Sequence, residues 1–138
     1  MTRRLLLILP LAVGLRADTE TEVRELIRSA VSGLSAGDPE QFLAAFDPAI
    51  EGFSQLRENL KGLVSQADVS CSIEVSNSVG DDDAQTLTLD WIMRLDFKNQ
   101  QPNYERREKT VTCKLRRTGK KWRIVAFDPL SLFKPAGL

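Results

Sequence analysis

Histidine is absent from the 138-residue sequence, and tyrosine occurs once, as Tyr104. The first absence removes the side chain that most often serves as general base and as metal ligand. There is no internal repeat and no low-complexity linker. The apolar run Leu5–Val13 falls far short of the roughly 20 residues that a membrane-spanning helix needs. What remains is ordinary in composition, with 42% hydrophobic and 28% charged residues, which excludes a disordered or collagen-like chain. The length is that of one domain with a single real core.

The first seventeen residues read as an address. Arg3 and Arg4 precede the short apolar run, and the small residues Ala12, Gly14 and Ala17 follow it, just before Asp18. This is the order of a secretory signal peptide. It predicts residues 1–17 as a signal segment, cut after Ala17 or after Gly14, and residues 18–138 as one secreted or periplasmic domain with no membrane contact after cleavage. Loss of residues 1–17 removes Arg3, Arg4 and Arg16 and no acid from 19 basic and 19 acidic residues, leaving a net charge of −3. A mildly acidic domain has no global pull toward nucleic acid or anionic lipid.

Helical patterning fills the first half. Thr19-Glu20-Thr21-Glu22 fits a capping box. Val23, Leu26, Ile27, Ala30, Val31 and Leu34 then form one apolar stripe, which Gly37 ends. Asp38 and Pro39 open a second helix with Phe42, Leu43 and Phe46 facing inward, and Asp47-Pro48 breaks it. A third helix is expected from about Ser54 to Gln66 with Leu56, Leu60, Leu63 and Val64 as its stripe. Gly62 weakens that helix by roughly 1 kcal/mol relative to alanine.

The second half alternates. Leu87, Leu89, Trp91, Met93, Leu95 and Phe97 occupy odd positions, with Thr86, Thr88, Asp90, Arg94 and Asp96 between them, so one strand face is buried and the other is wet. Val69, Cys71, Ile73 and Val75 repeat the pattern before it. Val111, Cys113 and Leu115 repeat it after, and a last strand runs from Trp122 to Phe127. The turns Gly80–Asp83 and Thr118-Gly119 and the longer Asn99–Asn103 link imply an antiparallel meander. Leu130, Leu132 and Phe133 are expected to dock back on the core. The fold class is therefore α+β, three N-terminal helices on a curved four-stranded sheet.

Glu22–Ala36 running into Gly37-Asp38-Pro39-Glu40, the helix Phe53–Val64 and the strand Lys120–Phe127 together resemble the nuclear transport factor 2-like superfamily. This is the cone-shaped, cystatin-like fold of ketosteroid isomerases and polyketide-cyclase-like proteins. The resemblance covers about residues 19–133 and implies a fold, not an activity. Its usual hairpin between the second and third helices is abbreviated here to Asp47–Gly52. Enzymes of that superfamily place an Asp, Tyr or His inside the cone. Here the inner-face positions are Leu, Trp, Met, Val and Cys, and parity puts Asp90, Arg94 and Asp96 on the opposite face.

No catalytic residue, metal ligand or cofactor is therefore assigned. The ligand-binding candidates are Phe42, Phe46, Trp91, Met93, Tyr104 and Trp122. Asp47 reads as a cap, and Asp81-Asp82-Asp83 reads as a solvated turn lacking the spaced ligands of a calcium loop. Nine cations fall between Arg106 and Arg123 against one acid, Glu108. They read as a solvated basic hairpin paired with the acidic neighbouring strand rather than as a nucleic-acid footprint. Cys71 and Cys113 sit in a compartment that favours disulfides, yet a meander places them on strands one and three. Their Cα atoms are then at least roughly 9.6 Å apart, beyond the roughly 7 Å that a bridge tolerates, so two buried free thiols are expected.

Three functions stay open: a non-catalytic module binding a small apolar ligand or a partner protein, an isomerase- or cyclase-like enzyme using a cavity carboxylate or tyrosine, and a structural homodimer through the wet sheet face around Ile92. The size and polarity of the space between sheet and helices separates them.

Overall fold

A computed structural model describes residues 17–99 and 103–137. The signal-segment expectation for residues 1–17 falls almost wholly outside the described residues. Three helices, α1 (Ala17–Ser35), α2 (Pro39–Leu43) and α3 (Phe53–Gln66), precede strands β1 (Ala67–Gly80), β2 (Ala84–Phe97), β3 (Tyr104–Thr118) and β4 (Lys121–Asp128) and a closing turn of 3-10 helix, Leu130–Phe133. The four strands form one antiparallel sheet in the order β1-β2-β3-β4, a meander as the short turns require. The buried and wet faces of β2 follow the odd–even alternation from Leu87 to Phe97.

Local chemistry explains the helix ends. Asp38 accepts a hydrogen bond from the Gln41 amide at 3.2 Å, with Pro39 at the first helical position. Gly37 takes φ +71°, the left-handed value that releases the chain from α1. Asp47 accepts from the Ala49 amide at 2.9 Å and so turns the chain after α2. The abbreviated segment that follows keeps one trace of a strand, a parallel bridge from Phe46 to Ile124 along the edge of β4.

Two expectations change. The capping box fails, because α1 is already helical at Ala17 and Thr19 lies inside its first turn. Thr19 is buried, and its hydroxyl donates to the Asp82 carboxylate at 2.8 Å, tying α1 to the β1–β2 turn instead. Gly62 is also more than a weak spot in α3. A Cβ there would stand 2.9 Å from Pro135 Cγ, so the missing side chain admits the C-terminal tail. That tail is fastened by Gln66, which donates to the Ala136 carbonyl at 3.0 Å and accepts from its amide at 2.8 Å.

The core lies between the helices and the inner sheet face. Leu34, Leu56, Leu60, Leu63, Leu89, Met93, Leu95 and Leu115 are fully buried there. The closing turn adds Leu132 and Phe133 to it, as expected. Arg107 holds this turn in place, donating to the carbonyls of Leu132 at 2.8 Å and Lys134 at 2.6 Å. Cys71 pairs with Met93 and Cys113 with Leu87, so the two thiols are separated along the strands as well as across β2; both are free, Cys113 buried as expected but Cys71, on the edge strand, only partly so.

Candidate functional site: a cleft between the first helix and the first strand

Aromatic side chains pack against one another in the core between the helices and the sheet. Phe42 stands 5.1 Å from Phe46 and 5.0 Å from Phe133, ring centre to ring centre, and Trp91 meets Phe127 and Phe133 edge-on at 5.6 Å each. Such tilted and edge-on pairs are the arrangements that ring quadrupoles favour. Three of the six ligand-binding candidates, Phe42, Phe46 and Trp91, are thus brought together in one close-packed cluster, with Met93 on the same buried face. The other two lie elsewhere. Trp122 is buried under α1, its indole N–H donating to Glu22 at 3.3 Å and its ring covered by the Arg117 guanidinium. Tyr104 is 58% exposed, its ring capped by Arg94 at 4.2 Å.

The open space is next to that cluster and is lined by none of the six. It is a cleft of about 910 Å³ between α1 and the distal half of β1. From α1 come Val23, Ile27 and Val31, members of the apolar stripe spaced four residues apart. Ile73 and Val75 of β1 and Leu87 of β2 face them. The rim is polar: Glu20, Arg24, Arg28 and Ser32 on the helix side, Glu74 and the segment Ser76-Asn77-Ser78 on the strand side. Arg24 pairs with Glu20 at 3.4 Å, and Arg28 pairs with Glu25. Gln85, buried at the end of the cleft, donates to the Asp81 carbonyl at 2.6 Å and accepts from the Ser78 hydroxyl at 3.2 Å.

A β-bulge keeps the cleft open. Val75 pairs with Leu89 but Asn77 already pairs with Thr88, leaving Ser76 as the extra residue. Beyond it the parity reverses: Ser78 faces inward opposite Leu87, and Val79 turns to the outer face opposite Thr86. Alternation had placed Val75 within the core, but it is 48% exposed in the cleft wall. The sequence carried one signal of this, the run Ser76-Asn77-Ser78, which has no side chain large enough to close against the α1 stripe.

The chemistry on offer is sparse. Thr19 and Gln85 are the buried polar residues among those described, and the acids of the cleft, Glu20 and Glu74, are exposed. Burial pushes the Cys113 thiol up to about 12. It likewise pushes Cys71 up to about 11, the nearby Trp91 indole N–H only partly opposing it. Neither thiol is a nucleophile at neutral pH. The carboxylates of the Asp81–Asp83 turn are structural: Asp81 accepts from the amides of Asp83 and Ala84 at 2.9 and 3.0 Å, Asp82 from the Thr19 hydroxyl, and Asp83 faces Arg117 at 3.8 Å.

No protein-family model and no curated protein matches this sequence. Many solved structures match its fold. A nuclear transport factor 2-like superfamily protein from Salmonella enterica aligns at TM-score 0.65 and 15% identity over 87% of this chain and 93% of its own. A putative scytalone dehydratase from Novosphingobium aromaticivorans gives 0.71 at 11% identity, over 81% of this chain and 85% of its own. A cystatin-like protein of unknown function from Nostoc punctiforme gives 0.62 at 20%, over 85% of this chain and 96% of its own. The chain therefore has the nuclear transport factor 2-like cone fold. Proteins of this fold include enzymes and proteins of unknown function, so the fold assigns no activity.

Proposed function

We propose that this protein is a non-catalytic binding module whose ligand is a small, elongated, mainly apolar molecule held in the α1–β1 cleft. One observation carries the reading: a cleft of about 910 Å³ has an apolar floor and no buried acid. Its volume is at the upper end of ordinary ligand sites, and an apolar floor with a few polar groups at the edge is the usual composition of such sites. The enzyme alternative requires a carboxyl or tyrosine inside the cone. Against it, no acidic residue is buried among the described residues, and Tyr104 stands on the surface. The structural-dimer alternative uses the outer sheet face, where Ile92 is half-buried between Ser72 and Glu108. Secretion or periplasmic residence, read from residues 1–17, belongs to the same proposal, and mass spectrometry of the exported protein tests it by the loss of about 14 to 17 residues.

Val75→Trp tests the site. The larger side chain enters the cleft from an exposed position, so it blocks a ligand without disturbing the packed core. Titration with an environment-sensitive apolar dye and with a series of medium-chain alcohols is expected to show saturable binding to the parent and at least tenfold weaker binding to Val75→Trp. Equal binding by both proteins would place the ligand elsewhere, and no saturable binding by the parent would end the proposal.

A further inference from the structure

One corner of the outer sheet face carries four cations and no acid. Lys114 and Arg116 follow each other on the outer side of β3, and Lys121 and Arg123 do so on β4, with Arg116 directly opposite Arg123 in the register. Their directly opposed neighbours on that face are small and neutral, Ala84 opposite Arg116 and Thr86 and Ala126 beside Lys114, and Asp128 is the next outer-face residue along β4. The sequence pattern led us to expect this basic hairpin to pair with the acidic neighbouring strand. Among the described residues its ion pairs run instead within β3, to α1 and to the turn before β2, all of them outside the corner. Arg106 pairs with Glu108, Arg107 with Glu105, and Arg117 reaches Glu22 and Asp83. Among the described residues, none of the four corner cations has an acidic partner, because the β2 positions beside them hold Ala84 and Thr86 rather than acids. Like charges placed directly opposite on a sheet are destabilising, so folding alone gives no reason for the Arg116–Arg123 pair.

We propose that this corner is a docking site for an extended acidic segment of a partner protein. Same-face residues on a strand recur every 6.6–6.8 Å or so, the spacing of Lys114 to Arg116 and of Lys121 to Arg123. Carboxylates at alternate positions of an extended partner segment repeat at that same interval, and the two guanidinium forks suit bidentate pairing with them. A broad anionic surface fits poorly. The rest of the outer face carries Asp68, Asp90 and Asp128 together with the Arg94–Asp96 and Arg106–Glu108 pairs, so a bilayer covering the whole face would meet unneutralised like charge. A nucleic-acid strand lacks its usual stacking platform here, since the corner has no aromatic residue and Tyr104, at the far end of β3, is already covered by Arg94.

The test uses the full chain and a fluorescently labelled peptide of alternating glutamate and threonine, followed by anisotropy. Binding is expected to weaken as salt is raised and to fall roughly tenfold, about 1.4 kcal/mol, in Arg116→Gln/Arg123→Gln. Lys109→Gln, which removes a cation outside the corner, is expected to leave binding within about twofold, and a glutamine–threonine peptide is expected not to bind. Matched melting curves show that the variants are folded. The proposal fails if the acidic peptide does not bind, or if the double variant binds it like the parent. It also fails if a thymidine oligonucleotide or vesicles rich in phosphatidylserine bind more tightly with the same dependence on Arg116 and Arg123. Sedimentation that shows a dimer dissolved by the double variant would assign the corner to a second copy of the chain and overturn it too.

Discussion

Replacing Phe133 by alanine probes how the closing turn seals the core. The ring is fully buried, 5.0 Å from Phe42, 5.4 Å from Phe127 and 5.6 Å from Trp91. Deleting a buried phenylalanine costs about 3–5 kcal/mol in transfer and cavity terms, and the edge-on and tilted ring contacts favour the upper half of that range. With about 4 kcal/mol lost, a domain of this size should melt roughly 12–20 °C lower. Because Phe133 sits on the closing turn clamped by Arg107, a double-mutant cycle with Arg107→Ala adds a second reading. Once the ring is gone the turn is held loosely, so removal of the clamp should cost less in the Phe133→Ala background, with a coupling of about 0.5–3 kcal/mol. Thermal and urea unfolding monitored by tryptophan fluorescence measures both. A loss below about 1 kcal/mol for Phe133→Ala would mean that the C-terminal turn does not plug the core and that the aromatic cluster is wrongly assigned.

Trp91→Ala should also cost roughly 3–5 kcal/mol, and an unchanged melting curve would show that the sheet faces are inverted. Both thiols should resist a thiol reagent in the native protein and titrate as two per chain in denaturant without reductant; no reactive thiol in the unfolded monomer would contradict the strand order. Their folded pKa values, about 11 and about 12, stand above the ordinary 9.0, so the stability they contribute is whole below pH 9 and falls as pH rises through the folded values. Urea midpoints should therefore drop between pH 9 and 11, less so in Cys113→Ala, and a flat profile would count against their burial. Gly62→Ala would ordinarily strengthen a helix by about 1 kcal/mol, but its methyl would meet Pro135. It should lower stability in the full chain and raise it in a chain ending at Lys134, and a gain in both would show that the tail does not pack on α3.

Much of this architecture was legible in one dimension because period and punctuation are local. The twelve-residue alternation around Trp91 fixed which face of β2 is buried, Asp38-Pro39 opened α2, and Gly37 closed α1, each from interactions within a few residues. The same alternation, joined to the meander, kept Cys71 and Cys113 apart. What the sequence could not supply were relations between segments distant along the chain. Whether Thr19 caps its own helix or reaches Asp82, whether Gly62 is a weakness or a passage for Pro135, and whether Lys114 and Arg116 meet acids or Ala84 and Thr86 are each decided by which residues fold up alongside. The cleft depends on the tertiary structure most of all. One extra residue at Ser76 reverses the parity of β1, and a one-residue shift sends every later side chain to the opposite face. Aromatic content pointed to Phe42, Phe46 and Trp91 as ligand platforms, but close packing had already used those rings to fill the cone, leaving the opening where only serines, an asparagine and a half-exposed valine stood to close it.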